Sequence, residues 1–171
     1  MNTKKMVTAA LFLSVGFILH QLMPGLPLGN MKPSPNLAMM FLAILYVNDR
    51  KGTVAIGLTA GLLSAMTTVF PMGQIPSVID KTLTAIVVFQ LFHMMRHMKN
   101  GVLRLAVVSA IGTVVSGTIF LGSALLLFSL PAPFMVLFMG VVLPAGAMNV
   151  MLVVLIDRVL SRARVAGRQT A

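Results

Sequence analysis

The chain has 171 residues, of which 58% are hydrophobic and only 9% charged, with a formal net charge of +10. A soluble domain of this size carries about 25% charged residues, so this chain cannot clothe a globular surface and lipid must be its main solvent. Cys and Glu are both absent, which excludes disulfides and thiolate metal sites and leaves Asp49, Asp80 and Asp157 as the acidic side chains.

Six apolar segments follow one another, roughly 5–23, 36–47, 53–70, 76–95, 102–128 and 132–157. About 20 apolar residues at 1.5 Å each cross a hydrocarbon core, so the pattern predicts an all-α membrane protein with six transmembrane helices in a single domain. The first segment starts after Lys4 and Lys5 and looks like a signal peptide. It runs into His20-Gln21-Leu22-Met23-Pro24 with no small-residue cleavage site, and reads as an uncleaved helix. Within it, Ala10 and Ser14 are small residues four apart, a spacing that lets another helix approach closely.

The stretch 24–35 carries Pro24, Pro27, Pro33 and Pro35, which break helix, and the segment 36–47 after it is too short to span by itself. Irregular backbone at membrane depth is tolerated where protein buries it or where it lines a watery cavity. An outward-opening cavity with 24–35 as its lid is therefore expected, with Lys32 on the lid. The tight turn Asn48-Asp49-Arg50-Lys51-Gly52 leads into a third segment with the small-residue ladder Gly57, Gly61 and Ala65. Thr67, Thr68 and Phe70 close it; threonine hydroxyls in such positions often bond back to their own helix.

Pro76 suits the first turn of the fourth helix. Asp80 and Lys81 follow one turn in, and intramembrane charges are costly and usually functional. Adjacent helical residues point about 100° apart, so the two side chains are not expected to share one contact direction, although an internal ion pair is the plain alternative. His93 and His97 are four apart but have no Cys or Glu beside them to complete a metal site. The fifth segment repeats the small-residue ladder at Ser109, Thr113 and Gly117, flanked by Gly112 and Ser116. In the sixth, Pro144 can kink the helix and free carbonyls, and Asn149 is a polar amide that can serve as interhelical glue or as a ligand contact.

All but two of the 13 Lys and Arg residues fall at the termini or in the turns after the second and fourth helices. Lys32 and Lys81 are the exceptions. This bias places both termini in the cytoplasm of an inner (plasma) membrane, with 158–171 as a basic cytoplasmic tail that meets anionic lipid. It also argues against nucleic acid as the partner of the positive charge. The chain contains no Gly-x-x-x-x-Gly-Lys-Ser/Thr phosphate loop, so uphill uptake would need a partner ATPase or an ion gradient. No motif calls for an enzyme or a cofactor. The polar groups suit a zwitterionic amino acid. Lys32 or Lys81 can hold its carboxylate, Asp80 its ammonium, and Gln74 or Asn149 a side-chain N–H, while Thr67 and Phe70 help to wall the site. An ion-coupled carrier centred on Asp80 and a non-transporting structural subunit are the competing readings.

Several segments together carry a family resemblance. Met31-Lys32-Pro33, Met39-Met40-Phe41, Thr67-Thr68-Val69-Phe70-Pro71, Gly73-Gln74-Ile75-Pro76, Ile79-Asp80-Lys81, Ser116-Gly117, and Val142-Leu143-Pro144-Ala145 with Asn149 resemble the bacterial tryptophan transporter family. That family is similar to the S components of energy-coupling factor (ECF) importers. The resemblance implies a six-helix S-component bundle that binds tryptophan near the outer face under the first loop. It also implies a transmembrane T component and two cytoplasmic ATPases as partners. The helix-one docking motif of S components would fall on Ala10 and Ser14, with serine in place of the usual second alanine. Ser34 stands where an acidic residue often follows Lys-Pro, which shifts weight for the ammonium to Asp80.

The charge bias predicts that a cytoplasm-dependent reporter fused after residue 171 is active and one inserted at 71–75 is inactive. The opposite pattern would reverse the orientation.

Overall fold

The computed structural model describes residues 3–22, 34–128, 130 and 132–169, with side chains described up to residue 159 and at 162. Lys32 and most of the proline-rich stretch 24–35 lie outside the described residues. The described chain forms helices α1 (Thr3–Leu22), α2 (Pro35–Val47), α3 (Arg50–Thr67), α4 (Gln74–Met94), α5 (Gly101–Leu127), α6 (Phe134–Leu137) and α7 (Leu143–Gln169). A single 3₁₀ turn (Met95–His97) ends α4. A π-helical segment (Phe138–Val142) joins α6 to α7 in one continuous rod, so the described chain makes six rods.

The helix ends follow from local side chains. Ser34 caps α2, its hydroxyl accepting from the Leu37 N–H at 3.2 Å. Asn48 adopts the left-handed conformation (φ 47°) that ends α2, which asparagine tolerates because its short polar side chain bonds locally. The Asp49 carboxylate then accepts from the Gly52 N–H at 3.0 Å and starts α3. Asn100 starts α5, accepting from the N–H groups of Val102 and Leu103.

Four rods are long and apolar enough to cross a membrane: Thr3–Leu22, Gln74–His97, Gly101–Leu127 and Phe134–Val159; Pro35–Val47 is apolar but shorter. The expectation of six helices is thus met in count, with the second segment short as expected, and α3 is the one that departs from the expected spans. α2 spans about 20 Å at 1.5 Å per residue, against about 30 Å of hydrocarbon. α3 has the length, but Arg50, Lys51 and its Gly, Thr and Ser residues lower its hydropathy. It still turns Val54, Leu58, Leu62 and Met66 outward.

α2 stands at the centre. Every residue from Asn36 to Ile44 is buried, and α2 packs on α1, α3, α4, α5 and α7. A helix that is apolar on all sides belongs in the interior. Its one strongly polar side chain, Asn36, donates through Nδ2 to the Ala60 carbonyl at 3.2 Å and to Ser64 Oγ at 2.9 Å, tying α2 to α3. α1 lies at the edge of the bundle against α2 and α3. In its outward face, Val7, Leu11, Val15 and Ile18 are exposed together with Ala10 and Ser14.

Lipid tails are as apolar as leucine, so helices in a bilayer associate through close packing rather than through escape from water. The small-residue ladders provide that packing here. A Cβ on Gly61 would sit 2.9 Å from the Val78 Cα, and one on Gly57 would sit 2.7 Å from the Ala85 Cβ and 3.1 Å from the Lys81 carbonyl. α3 and α4 therefore meet backbone to backbone. Gly112 accepts the Phe41 ring and Val88, and Gly117 accepts Val142.

Gly61→Ala is expected to lower stability by about 1–3 kcal/mol through overpacking, read as a fall in the unfolding midpoint in detergent. Gly101→Ala, where nothing lies within 4 Å, should leave that midpoint unchanged. Equal midpoints for both variants would show that the α3–α4 contact is looser than described.

Candidate substrate-binding site

At the end of the bundle where α1 stops and α2 starts, a cavity of about 120 Å³ opens between the rods. A water needs about 10–15 Å³ on the same measure, so the space suits a small organic molecule better than a lone ion. Its walls come from all six rods and the turn after α3. His20 and Ser34, the lining residues on either side of the undescribed 23–33 stretch, both face it.

The polar part of the wall is built on the first two turns of α4. Asp80 is fully buried and Lys81 is 7% exposed. The two form an ion pair with each other. This corrects the expectation that neighbouring helical positions keep them apart. The four-carbon lysine stem is long and flexible enough to bend its ammonium back over the preceding residue, and a buried charge with no water has every reason to do so. Ser116 on α5 closes the arrangement. Its hydroxyl donates to Asp80 Oδ2 at 2.9 Å and accepts from Lys81 Nζ at 3.2 Å. Thr84, one turn further along α4, donates to Asp80 Oδ1 at 2.9 Å. Pairing with full hydrogen bonding is the condition under which an ion pair survives burial. Ser116 and Thr84 carried no site role in the sequence reading. The i, i+4 spacing of Asp80 and Thr84 was a usable signal; the reach from α5 was not.

The pair is satisfied without being saturated. An ammonium has three donors, and an ionised carboxylate has about four acceptor positions. Lys81 spends two donors and Asp80 three acceptor positions on the contacts just described, and both residues line the cavity. One charge-bearing position of each sign is left for a ligand.

Around this floor the wall is apolar. Phe70 and Phe120 meet edge to face, with ring centroids 5.2 Å apart and planes at 78°. Val141, Val142 and Ala145 continue the wall from the π-helical segment into α7. A π-helical turn is an uncommon element that recurs at functional sites, and here it brings the consecutive Val141 and Val142 into the buried wall. Thr67 lines the cavity, but its hydroxyl donates to its own helix at the Leu63 carbonyl, 3.1 Å away. Thr68 Oγ1 accepts from the Phe70 N–H at 3.3 Å and holds the turn that presents Phe70. Asn149 is buried in the wall with its Nδ2 on Thr113 Oγ1.

The structure thus brings together Thr67, Phe70, Asp80, Lys81 and Asn149 of the expected set. Gln74 does not join them. It shares a helix face with Ser77 and Lys81, but it is the first residue of α4, exposed at the helix end and outside the cavity lining. His20, near the end of α1, is a further lining residue.

An all-helical chain with several membrane-capable rods and a polar-floored cavity inside the bundle defines a multi-pass membrane protein built to hold a small molecule. The sequence profile of the family described as Tryptophan transporter TrpP matches residues 2–164, and the chain belongs to that family. It is 45% identical to the probable tryptophan transport protein of Bacillus subtilis, across 91% of this chain and 90% of that one. It is 43% identical to the protein of the same description from Clostridium acetobutylicum, across 87% and 86% of the two chains. It is 38% identical to that from Clostridium perfringens, across 94% and 93%. No solved structure matches the chain.

Removing one partner of a buried ion pair costs about 3–5 kcal/mol because the other charge is stranded. Asp80→Asn is expected to destabilise the protein on that scale in detergent unfolding, and Asp80→Asn combined with Lys81→Met should recover most of the loss. A double variant no more stable than Asp80→Asn alone would mean that the pair is not coupled as described.

Proposed function

We propose that this protein is the substrate-binding membrane subunit of a tryptophan importer, energised by partner ATPases of the ECF type. The observation that carries the reading is the buried Asp80–Lys81–Ser116 cluster on the wall of a cavity that also carries the Phe70–Phe120 pair, in a chain of a tryptophan transporter family. A free amino acid presents one anion and one cation on one carbon. Lys81 has a remaining donor for the carboxylate and Asp80 a remaining acceptor for the ammonium, while the Phe70–Phe120 pair and Val141 offer an apolar wall to an aromatic side chain. Lys32, read from the sequence as a second cation for the carboxylate, lies outside the described residues.

In this reading both termini and the basic tail face the cytoplasm, and the cavity opens outward. ATP hydrolysis comes from two cytoplasmic ATPases through a transmembrane T component, since the chain contains no phosphate loop of its own. The exposed face of α1 with Ala10 and Ser14 supports such a docking role. Its small residues leave a shallow track between Val7, Leu11, Val15 and Ile18, and Ser14 returns its hydroxyl to the Ala10 carbonyl at 2.9 Å, so it presents little polarity to a partner helix.

Titration calorimetry of the purified protein in nanodiscs should show tryptophan binding without ATP or an ion gradient, with phenylalanine and riboflavin as controls. Asp80→Asn and Lys32→Ala should each weaken it by about tenfold or more, as expected for loss of a charge-assisted contact. Ala10→Leu with Ser14→Leu should spare tryptophan binding and abolish co-purification of a T component. No binding at millimolar tryptophan, or unchanged affinity in both charge variants, would sink the reading.

A further inference from the structure

Thr113 and Asn149 form a directional relay on the cavity wall. The Thr113 hydroxyl donates to the Ser109 carbonyl at 2.8 Å. A threonine hydroxyl has a single hydrogen, so with that hydrogen committed the Thr113 oxygen can only accept. The amide of Asn149 faces it at 3.4 Å through Nδ2. The order of donors therefore sets which end of the amide is which: the NH₂ group turns to Thr113 and the carbonyl turns away. That carbonyl oxygen, Oδ1, is buried and has no hydrogen-bond partner among the described residues. The residue is 1% exposed and lines the cavity.

A buried amide acceptor is costly to leave unpaired once an occupant covers it, so an occupant that belongs there brings a donor. The position limits what kind. Ala145 lies one turn before Asn149 on α7, and Val141, Val142 and Phe120 complete the same stretch of wall, so the acceptor stands in apolar surroundings apart from the ion pair. Thr113 and Ser116 are three residues apart on α5, about 4.5 Å along its axis. A single small ligand can reach both the charged floor and the amide.

We propose that Asn149 is the specificity residue of the cavity, accepting through Oδ1 from a ring N–H of an aromatic amino acid, with Thr113 as its positioning residue. This rests on the substrate-binding reading above and adds how the site separates an indole from a ring without a donor. A site built to hydrogen-bond one group rejects the analogue lacking it, because its own buried acceptor is left unpaired.

The test compares tryptophan with benzothienylalanine, in which sulfur replaces the ring N–H at nearly the same shape, by calorimetry on the full chain in nanodiscs. The wild type should prefer tryptophan by about 10- to 100-fold. Asn149→Leu should bring the two ligands to within about 3-fold, as tryptophan loses its acceptor and benzothienylalanine no longer strands one. Thr113→Val, which frees the amide to turn, should shrink the preference, and Thr113→Ser should keep it. Equal affinity of the wild type for the two ligands, or a preference unchanged in Asn149→Leu, overturns the proposal while leaving the binding subunit intact. Should Asn149→Leu fail to fold, the wild-type ratio and the Thr113 pair decide the matter. Failure of the wild type to bind either ligand overturns both this inference and the function it rests on.

Discussion

A carboxylate with no exposed surface, placed inside a chain whose solvent is largely lipid, is the constraint on which the rest of this bundle turns. Asp80 can remain charged there only if its oxygens are filled, and three other residues fill them: Lys81 beside it, Thr84 one turn along, and Ser116 from the neighbouring rod. The last contact reaches beyond α4. It requires α4 and α5 to approach within hydrogen-bonding distance at that level, and the small residues at Gly112, Thr113 and Gly117 let neighbouring side chains fit against α5 around it. The ion pair and the packing of the bundle are therefore one arrangement, since loosening the helices would strand a charge.

The second constraint is α2. Thirteen residues do not cross a bilayer, yet almost every side chain of this helix is buried. It serves as the pillar around which the spanning rods stand. The cavity lies at the end where α2 begins, with Ser34 and Leu37 in its lining beside residues from the ends of α1 and α3, the start of α4, α5 and the α6–α7 rod.

The charged floor and the apolar wall divide the labour of recognition in the proposed site. Charges of both signs on α4 suit the part of an amino acid common to all of them, whereas the aromatic pair, the π-helical turn and Asn149 meet the part that differs. Docking, in the same reading, is left to α1, the rod at the edge of the bundle. Binding and coupling then sit on opposite sides of the same small domain, joined through α2, which packs on both α1 and α4.

The sequence by itself determined the class of protein and the number of helices. Those depend on local properties: runs of apolar residues, prolines and caps at their ends, and a scarcity of charge that only lipid can accommodate. It also singled out Asp80, Lys81 and Asn149, because polar groups in such runs are rare enough to stand out. Tertiary structure alone decided how those residues are used. The bend of Lys81 onto Asp80, the reach of Ser116 across from α5 and the orientation of the Asn149 amide by Thr113 all depend on distances between residues 35 or 36 positions apart or on the shape of a flexible stem, which no local pattern encodes. The same holds for Gln74, which shares a helix face with Ser77 and Lys81 but lies at the exposed end of α4, outside the cavity lining. Helix periodicity states which residues share a face, but which face meets the cavity is settled only when all the rods have packed.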